Sequence, residues 1–91
     1  MGNTTKTACN TQTYTQVTAS VDTFAVIYNR NPKPNGGQDA RIHLGAVAPA
    51  NDTDLFMVLN PDEFFPKPKG LDGHIWVLME SETENIIVME S

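Results

Sequence analysis

Residues 74–89 read HIWVLMESETENIIVM, and this stretch decides the fold. Its two apolar runs, residues 74–79 and 86–89, flank the polar segment ESETE at residues 80–84. Both runs are short and rich in β-branched or aromatic side chains, a composition typical of buried strands rather than helices. The stretch therefore predicts two strands joined by a polar turn.

The same alternation continues toward the N-terminus. Strands are predicted over residues 14–19, 24–28, 41–44 and 55–59, and the last run (LFMVL) is the most apolar and is expected in the core. The segments between them, residues 29–39, 46–53 and 60–73, carry turn-forming Pro, Gly, Asn and Asp. We expect no regular central strand in residues 60–73, because this segment holds three prolines. The chain is predicted to be all-β, a small antiparallel β-sandwich or jelly-roll-like barrel of about six to eight short strands.

The N-terminal residues differ in composition from the rest. Residues 1–13 (MGNTTKTACNTQT) are polar, and Lys6 is their only charged side chain. Such a segment buries too little apolar surface to fold alone. We therefore divide the chain into an extended polar N-terminal arm, residues 1–13, and a β-sandwich domain, residues 14–91. The arm is expected to be ordered only when a partner holds it.

Length and charge exclude several classes of protein. A chain of 91 residues is one small domain, and its net charge of −5 disfavours binding to a nucleic-acid backbone. No apolar run approaches the ~20 residues that span a bilayer, and residues 1–13 lack the apolar segment of a secretory signal. Cys9 is the single cysteine, so no internal disulfide forms and assembly in a reducing cytoplasm is expected.

Residues able to carry chemistry are few and scattered. His43 and His74 are the only histidines, and two ligands do not complete a structural zinc site. Asp52 and Asp54 suit a turn better than a calcium loop, and the carboxylates at residues 62–63 follow Asn-Pro in what is predicted to be an exposed turn. No nucleotide-binding or hydrolase motif occurs. We therefore expect no enzyme activity, no metal and no cofactor.

Two predicted strands are apolar on both faces. In residues 74–79, Trp76 lies on one face and Ile75 and Val77 on the other, and residues 55–59 show the same pattern. Strands of a small antiparallel sandwich normally have one polar face. We expect self-association through such strands. A carbohydrate platform of Trp76, Phe64 or Phe65 is a weaker alternative to core packing of these aromatics.

The order of segments carries a family resemblance. TQVTA, FAVIYNRN, RIHLG, NDTD, LFMVLNPDEFF, Gly73, HIWVLM and IIVME follow one another from residue 15 to residue 90. This succession resembles the small β-sandwich virion proteins of tailed bacteriophages. The resemblance implies a non-enzymatic role in capsid decoration (cement), in a head fibre or in head completion. It also implies a dimer or trimer that joins the virion in the host cytoplasm.

Partner contacts are expected in the arm, in one loop and on the strand that carries Trp76. The major capsid protein or another virion protein would be the partner, and a polar arm can wrap its surface while folding on binding. The residues that we expect to contact a partner are Thr4, Thr5, Lys6, Thr7, Asn10, Arg30, Lys33 and Trp76.

A different reading starts from the acidic C-terminal part of the chain. Glu80, Glu82, Glu84 and Glu90 have no basic residue among them. A small acidic module that inhibits a host protein by occupying a basic site is therefore the alternative function.

Overall fold

The computed structural model describes residues 3–18, 24–29, 38–67 and 73–90. These residues form strands and turns and contain no helix, as expected for an all-β chain. The strands are β1 (Asn3–Cys9), β2 (Thr15–Gln16), β3 (Ala25–Asn29), β4 (Ala40–Gly45), β5 (Met57–Leu59), β6 (Glu63–Lys67), β7 (His74–Met79) and β8 (Glu84–Glu90).

The strands form two four-stranded antiparallel sheets. The first, here the β1 sheet, has the order β1-β8-β3-β6, and the second, the β2 sheet, has the order β2-β7-β4-β5. β1 pairs with β8, β2 with β7, β3 with β6 and β4 with β5, so the chain is a long hairpin rolled up on itself. This is the jelly-roll arrangement, which confirms the predicted fold class.

The core lies between the two sheets and is built from alternate residues of each strand. The two central strands of each sheet contribute most of it, because they are covered by neighbours on both sides. Its most deeply buried apolar side chains are Ala25, Ile27, Ala40, Ile42, Ile75, Val77, Met79, Ile86 and Val88.

The N-terminal segment belongs to the sandwich, so the predicted boundary after residue 13 is wrong. β1 pairs with β8 along its whole length, from Asn3 opposite Glu90 to Cys9 opposite Glu84. Cys9 is fully buried in the core. The polar composition was misleading because the main chain of an edge strand is held by its neighbour, and threonine is a good strand former. Most of the predicted arm is therefore an edge strand.

One prediction about the middle of the chain fails and another holds. Residues 55–59 were expected in the core, but only Leu59 is buried, whereas Leu55 is 70% and Met57 53% exposed. No central strand was expected in residues 60–73, and β6, which runs through Pro66 in the described part of this segment, lies at the edge of its sheet. Both β5 and β6 are edge strands, where a proline is tolerated and one side of the strand stays open.

Side-chain amides join the sheets at one end of the sandwich. Asn29, 1% exposed, donates through Nδ2 to the carbonyl oxygens of Gln38 (2.9 Å) and Leu59 (2.8 Å). The Gln38 Oε1 atom accepts hydrogen bonds from the backbone N–H groups of Ser81 (2.7 Å) and Glu82 (3.0 Å). These bonds tie β3 to the β4–β5 pair and to the β7–β8 connection.

A pair of glycines allows a close approach where β7 begins. Gly73 has a φ of 119°, which side-chain-bearing residues rarely adopt. A Cβ atom there would lie 3.2 Å from the backbone nitrogen of Gly45, the last residue of β4. Glycine at residue 73 is therefore needed for β7 to start against the end of β4.

Candidate functional site

The outward side of the β1 sheet is apolar across three neighbouring strands. Register places Val26 opposite Met89 and Pro66, and Tyr28 opposite Ile87 and Phe64. These side chains have the parity opposite to the buried residues of the same strands, so they point away from the core. We call this set the outer apolar face, and its members are Val26, Tyr28, Phe64, Pro66, Ile87 and Met89.

Large side chains on the outer apolar face are open to solvent. Phe64 is 65% and Met89 53% exposed. The Phe64 ring stacks on Tyr28 with 4.8 Å between ring centroids and 22° between ring planes. The Tyr28 hydroxyl donates to Asp62 Oδ1 at 2.8 Å, which holds that ring in place. Contiguous exposed apolar patches are typical of interaction surfaces.

β1 extends the two rows of this face with polar residues. Thr4 lies opposite Met89 and Lys6 opposite Ile87, so both border the outer apolar face. Thr5 and Thr7 have the opposite parity. Thr4, Thr5 and Lys6 are exposed, and Thr7 is half-buried. Four of the expected partner residues are thus gathered on one edge strand.

Asn10 and Trp76 do not lie on this strand. Asn10 shapes the turn after β1, since its Oδ1 atom accepts hydrogen bonds from the backbone N–H groups of Gln12 (2.9 Å) and Thr13 (2.8 Å). Trp76 lies in the other sheet, half-buried, and its Nε1 atom donates to the Gly45 carbonyl oxygen at 2.9 Å. Arg30 and Lys33 lie outside the described residues.

The outward side of the β2 sheet is aromatic and internally bonded. His43 lies opposite Trp76, and the Tyr14 ring meets His43 edge-on at 6.2 Å between ring centroids. Arg41 Nε donates to Glu80 Oε2 at 2.5 Å, and its guanidinium lies 4.5 Å from the centroid of the Phe56 ring. The hydrogen bond to Glu80 raises the pKa of Arg41 further above its already high value. Arg41 and Glu80 therefore form an ion pair on this side of the molecule.

Tyr14 places a polar atom under this layer. The side chain is 6% exposed, and its hydroxyl has no hydrogen-bond partner among the residues that the structure describes. Burial raises the pKa of Tyr14, the nearby Arg41 charge lowers it and the Glu80 charge raises it again. The phenol is therefore neutral at physiological pH.

An apolar cavity of about 420 Å³ opens beside β4 and β5. Its volume lies within the range of small-molecule pockets, roughly 300–1,000 Å³. His43 is the only polar side chain in the lining, and its Nδ1 atom is bonded to the Leu55 carbonyl oxygen at 2.6 Å. The lining residues are Ile42, His43, Leu44, Leu55, Phe56, Met57, Phe65 and Ile75. This cavity suits an apolar group and offers no arrangement for catalysis.

The Cys9 thiol and the carboxylates of Asp62 and Glu63 are buried or hydrogen-bonded. Burial raises the pKa of the Cys9 thiol to about 12, which keeps it protonated and unreactive. Asp62 accepts the Tyr28 hydroxyl, and Glu63 Oε1 accepts the backbone N–H of Asn60 at 2.8 Å. Across residues 3–18, 24–29, 38–67 and 73–90, His, Cys, Asp and Glu side chains nowhere gather in threes as a metal site requires. The described part of the chain also contains no helix able to cross a membrane.

The outer apolar face is the site that our sequence reasoning missed. A sequence pattern that indicates this face does exist. FAVIY and IIVM are apolar on both faces of the predicted strand, as are residues 55–59 and 74–79. Sequence alone does not show that β3, β8 and β6 are neighbours, and only that neighbourhood joins their outward residues into one surface.

Comparison of the chain with protein-family models, with curated proteins and with solved structures finds no match. What the protein does must therefore be inferred from its own surfaces.

Proposed function

We propose that this protein is a non-enzymatic structural protein of a bacteriophage virion, a capsid decoration (cement) protein that self-associates and binds the capsid surface. The observation that carries the proposal is the outer apolar face, on which Phe64 is 65% and Met89 53% exposed. Exposed apolar patches of this kind often mediate protein–protein contacts, which a decoration role requires. Jelly rolls recur in viral capsid domains, and the order of segments resembles phage virion proteins.

β1 supplies the second part of the proposed mechanism. It is an edge strand of the β1 sheet, paired with β8 on one side and with no described strand on the other. Such an edge offers main-chain donors and acceptors to an extended segment of another protein. A capsid-protein segment added along Thr4, Thr5 and Lys6 would anchor the protein, and repetition over a shell multiplies a weak contact through avidity.

The acidic-module alternative has less support from the geometry. Glu80 is paired with Arg41, and Glu84 Oε1 accepts the backbone N–H of Asn85 at 2.9 Å. Both carboxylates are therefore used within the chain. A basic partner would have to compete with these bonds.

Particle composition tests the proposal directly. Virus particles banded on a density gradient from a lysate that produces the protein would be digested and quantified by mass spectrometry. We expect the protein in a fixed stoichiometric ratio to the major capsid protein. A ratio fitting only one vertex or the tail would overturn the decoration role, and complete absence from particles would favour the acidic module.

The β1 contact has its own test with purified protein and undecorated particles. Thr4→Glu places a carboxylate on the exposed edge strand, whereas Gln12→Glu makes the same charge change in the following turn. We expect the first substitution to weaken particle binding by roughly tenfold or more, as for an interface residue worth over 1 kcal/mol, and the second to leave it unchanged. Equal binding by both variants would exclude β1 as the attachment strand.

A further inference from the structure

We infer that the outer apolar face packs against the same face of a second copy, so that the protein is a two-fold symmetric dimer with four stacked sheets. The inference rests on the self-association in the proposed function and assigns it a surface and a symmetry. It also moves that contact away from residues 55–59 and 74–79, where the sequence pattern had placed it.

The arrangement of the face suits contact with itself. Its two rows, Met89–Val26–Pro66 and Ile87–Tyr28–Phe64, cross three adjacent strands. β3 lies between β8 and β6, so Val26 and Tyr28 occupy the middle and the bulkier exposed side chains stand on either side. A two-fold axis that runs between the two copies over β3 places the β8 residues of one copy against the β6 residues of the other. Each copy then contributes the same surface, as an isologous interface requires.

The side of the molecule that carries the outer apolar face is broad enough for a standard interface. The Cα atoms extend over 36 × 29 × 17 Å, and the shortest dimension fits the thickness of two packed sheets. The broad side of the molecule therefore measures at most 36 × 29 Å, which leaves room for the roughly 800 Å² that a standard interface takes from each partner. The outer apolar face extends to the edge strand β6, and Thr4, Lys6 and Asn85 supply a polar border on the β1 side.

Charge favours this face over the other exposed apolar surface. The chain carries a net charge of −5, so two copies repel each other unless their carboxylates stay apart. The outward-pointing strand residues of the β1 sheet include no carboxylate, and Lys6 is the one charged residue among them. The Asp62 carboxylate borders the face from the turn before β6 and is bonded to the Tyr28 hydroxyl. In contrast, the exposed Leu55 follows two aspartates, Asp52 and Asp54, within three residues. Like charges would face one another if two copies met there.

Sedimentation velocity over a concentration series measures the dimer. Phe64→Glu and Met89→Glu place a charge on the outer apolar face. Leu55→Glu and Val47→Glu make a comparable change at residues that are 70% and 74% exposed outside it. All four side chains are exposed, so each variant should fold, which circular dichroism would verify.

We expect a dimeric wild type, with dimerisation weakened roughly 30-fold or more by the first two substitutions, the effect of a large apolar side chain that is buried in an interface and replaced by a charge. The two control variants should dimerise like the wild type. A monomeric wild type throughout the series, or a loss of dimer only in the control variants, would overturn the inference.

Spin labels give a second readout that does not perturb the centre of the face. Cys9 is the only cysteine and is fully buried, so an introduced surface cysteine is the accessible labelling site. Two distances between labels on the two copies would be compared. The distance between labels at Thr4→Cys, at the border of the outer apolar face, should be shorter than the distance between labels at Val47→Cys, which lies just after β4 of the β2 sheet. A shorter distance between the Val47→Cys labels would place the contact on the β2 sheet and overturn the inference.

The two proposals fail in different ways. A protein that is monomeric in solution but stoichiometric in particles would exclude the dimer and leave the decoration role standing. A dimer that depends on Phe64 but never occurs in particles would exclude the decoration role and leave the interface standing.

Discussion

Asn29 is the side chain that joins the two sheets by hydrogen bonds from a buried amide. We expect Asn29→Ala to lower the free energy of unfolding by about 2–3 kcal/mol, because the carbonyl oxygens of Gln38 and Leu59 lose their donors inside the protein. Urea denaturation measures the change. Asn85→Ala, at a half-buried position of β8, should change stability by no more than about 0.5 kcal/mol. Equal effects of the two substitutions would argue against the bridging role of Asn29.

Cys9 makes stability depend on alkaline pH. Its thiol has an ordinary pKa of 9.0 but a folded-state pKa of about 12, because burial disfavours the thiolate. Between these values the folded protein retains the proton and the unfolded chain loses it, so the free energy of unfolding falls as pH rises. The loss is about 1.4 kcal/mol per pH unit.

Comparison with Cys9→Ala isolates this contribution. Urea denaturation at several pH values gives the free energy of unfolding of both proteins. The value for the wild type minus the value for the variant should be constant below pH 9 and should decrease above it. The alkaline titration of Tyr14 affects both proteins and cancels. A difference that stays constant up to pH 11 would show that the thiol ionises freely in the folded protein.

β1 is the element whose importance the sequence hides most completely. We expect deletion of residues 1–9 to remove a large part of the about 5–15 kcal/mol that stabilises a small domain, because β8 loses its neighbour along seven residue pairs and the core loses Cys9. Thermal unfolding followed by circular dichroism measures the loss. Thr4→Ala serves as the control and should unfold nearly as the wild type does. A deletion variant with unchanged thermal stability would restore the view of a separate arm.

Sequence predicted the central strands well and the edge strands poorly. Four strands coincide with apolar runs, because they are the central strands and supply most of the side chains packed between the sheets; they are β3, β4, β7 and β8. β1, β5 and β6 are held on one side only, so polar residues, exposed apolar residues and Pro66 all occur in them. Which strands lie at the edge of a sheet depends on pairing between distant parts of the chain, and local composition does not predict that pairing.

The candidate site shows the same limit at the level of whole strands. Residues 74–79 were selected for their two apolar faces, yet the second face is largely covered, with Leu78 6% exposed and Trp76 half-buried. The exposed apolar face is instead shared by β3, β6 and β8. A pattern within one strand therefore identifies apolar faces, but only the assembled sheet decides which of them stays open.

For the whole molecule, net charge should oppose assembly while apolar contact drives it. Each copy carries −5, and salt screens the repulsion between two acidic copies. We expect the dimer to become roughly three- to tenfold tighter between low and physiological ionic strength, as fits screening of weak long-range repulsion. Sedimentation velocity in graded sodium chloride measures this shift. A dimer that dissociates as salt rises would point to an interface held by ion pairs.

The pairing of β1 with β8 has a consequence for how the protein folds after synthesis. Asn3 meets Glu90 and Cys9 meets Glu84, so β1 cannot pair until β8 has been made. Two-state domains dominated by such distant pairings typically fold in milliseconds to seconds, far more slowly than helical bundles. During translation β1 emerges from the ribosome before β8, and its threonine-rich composition exposes little apolar surface through that interval. The polar composition that made β1 hard to predict thus limits the apolar surface of the nascent chain until β1 pairs with β8.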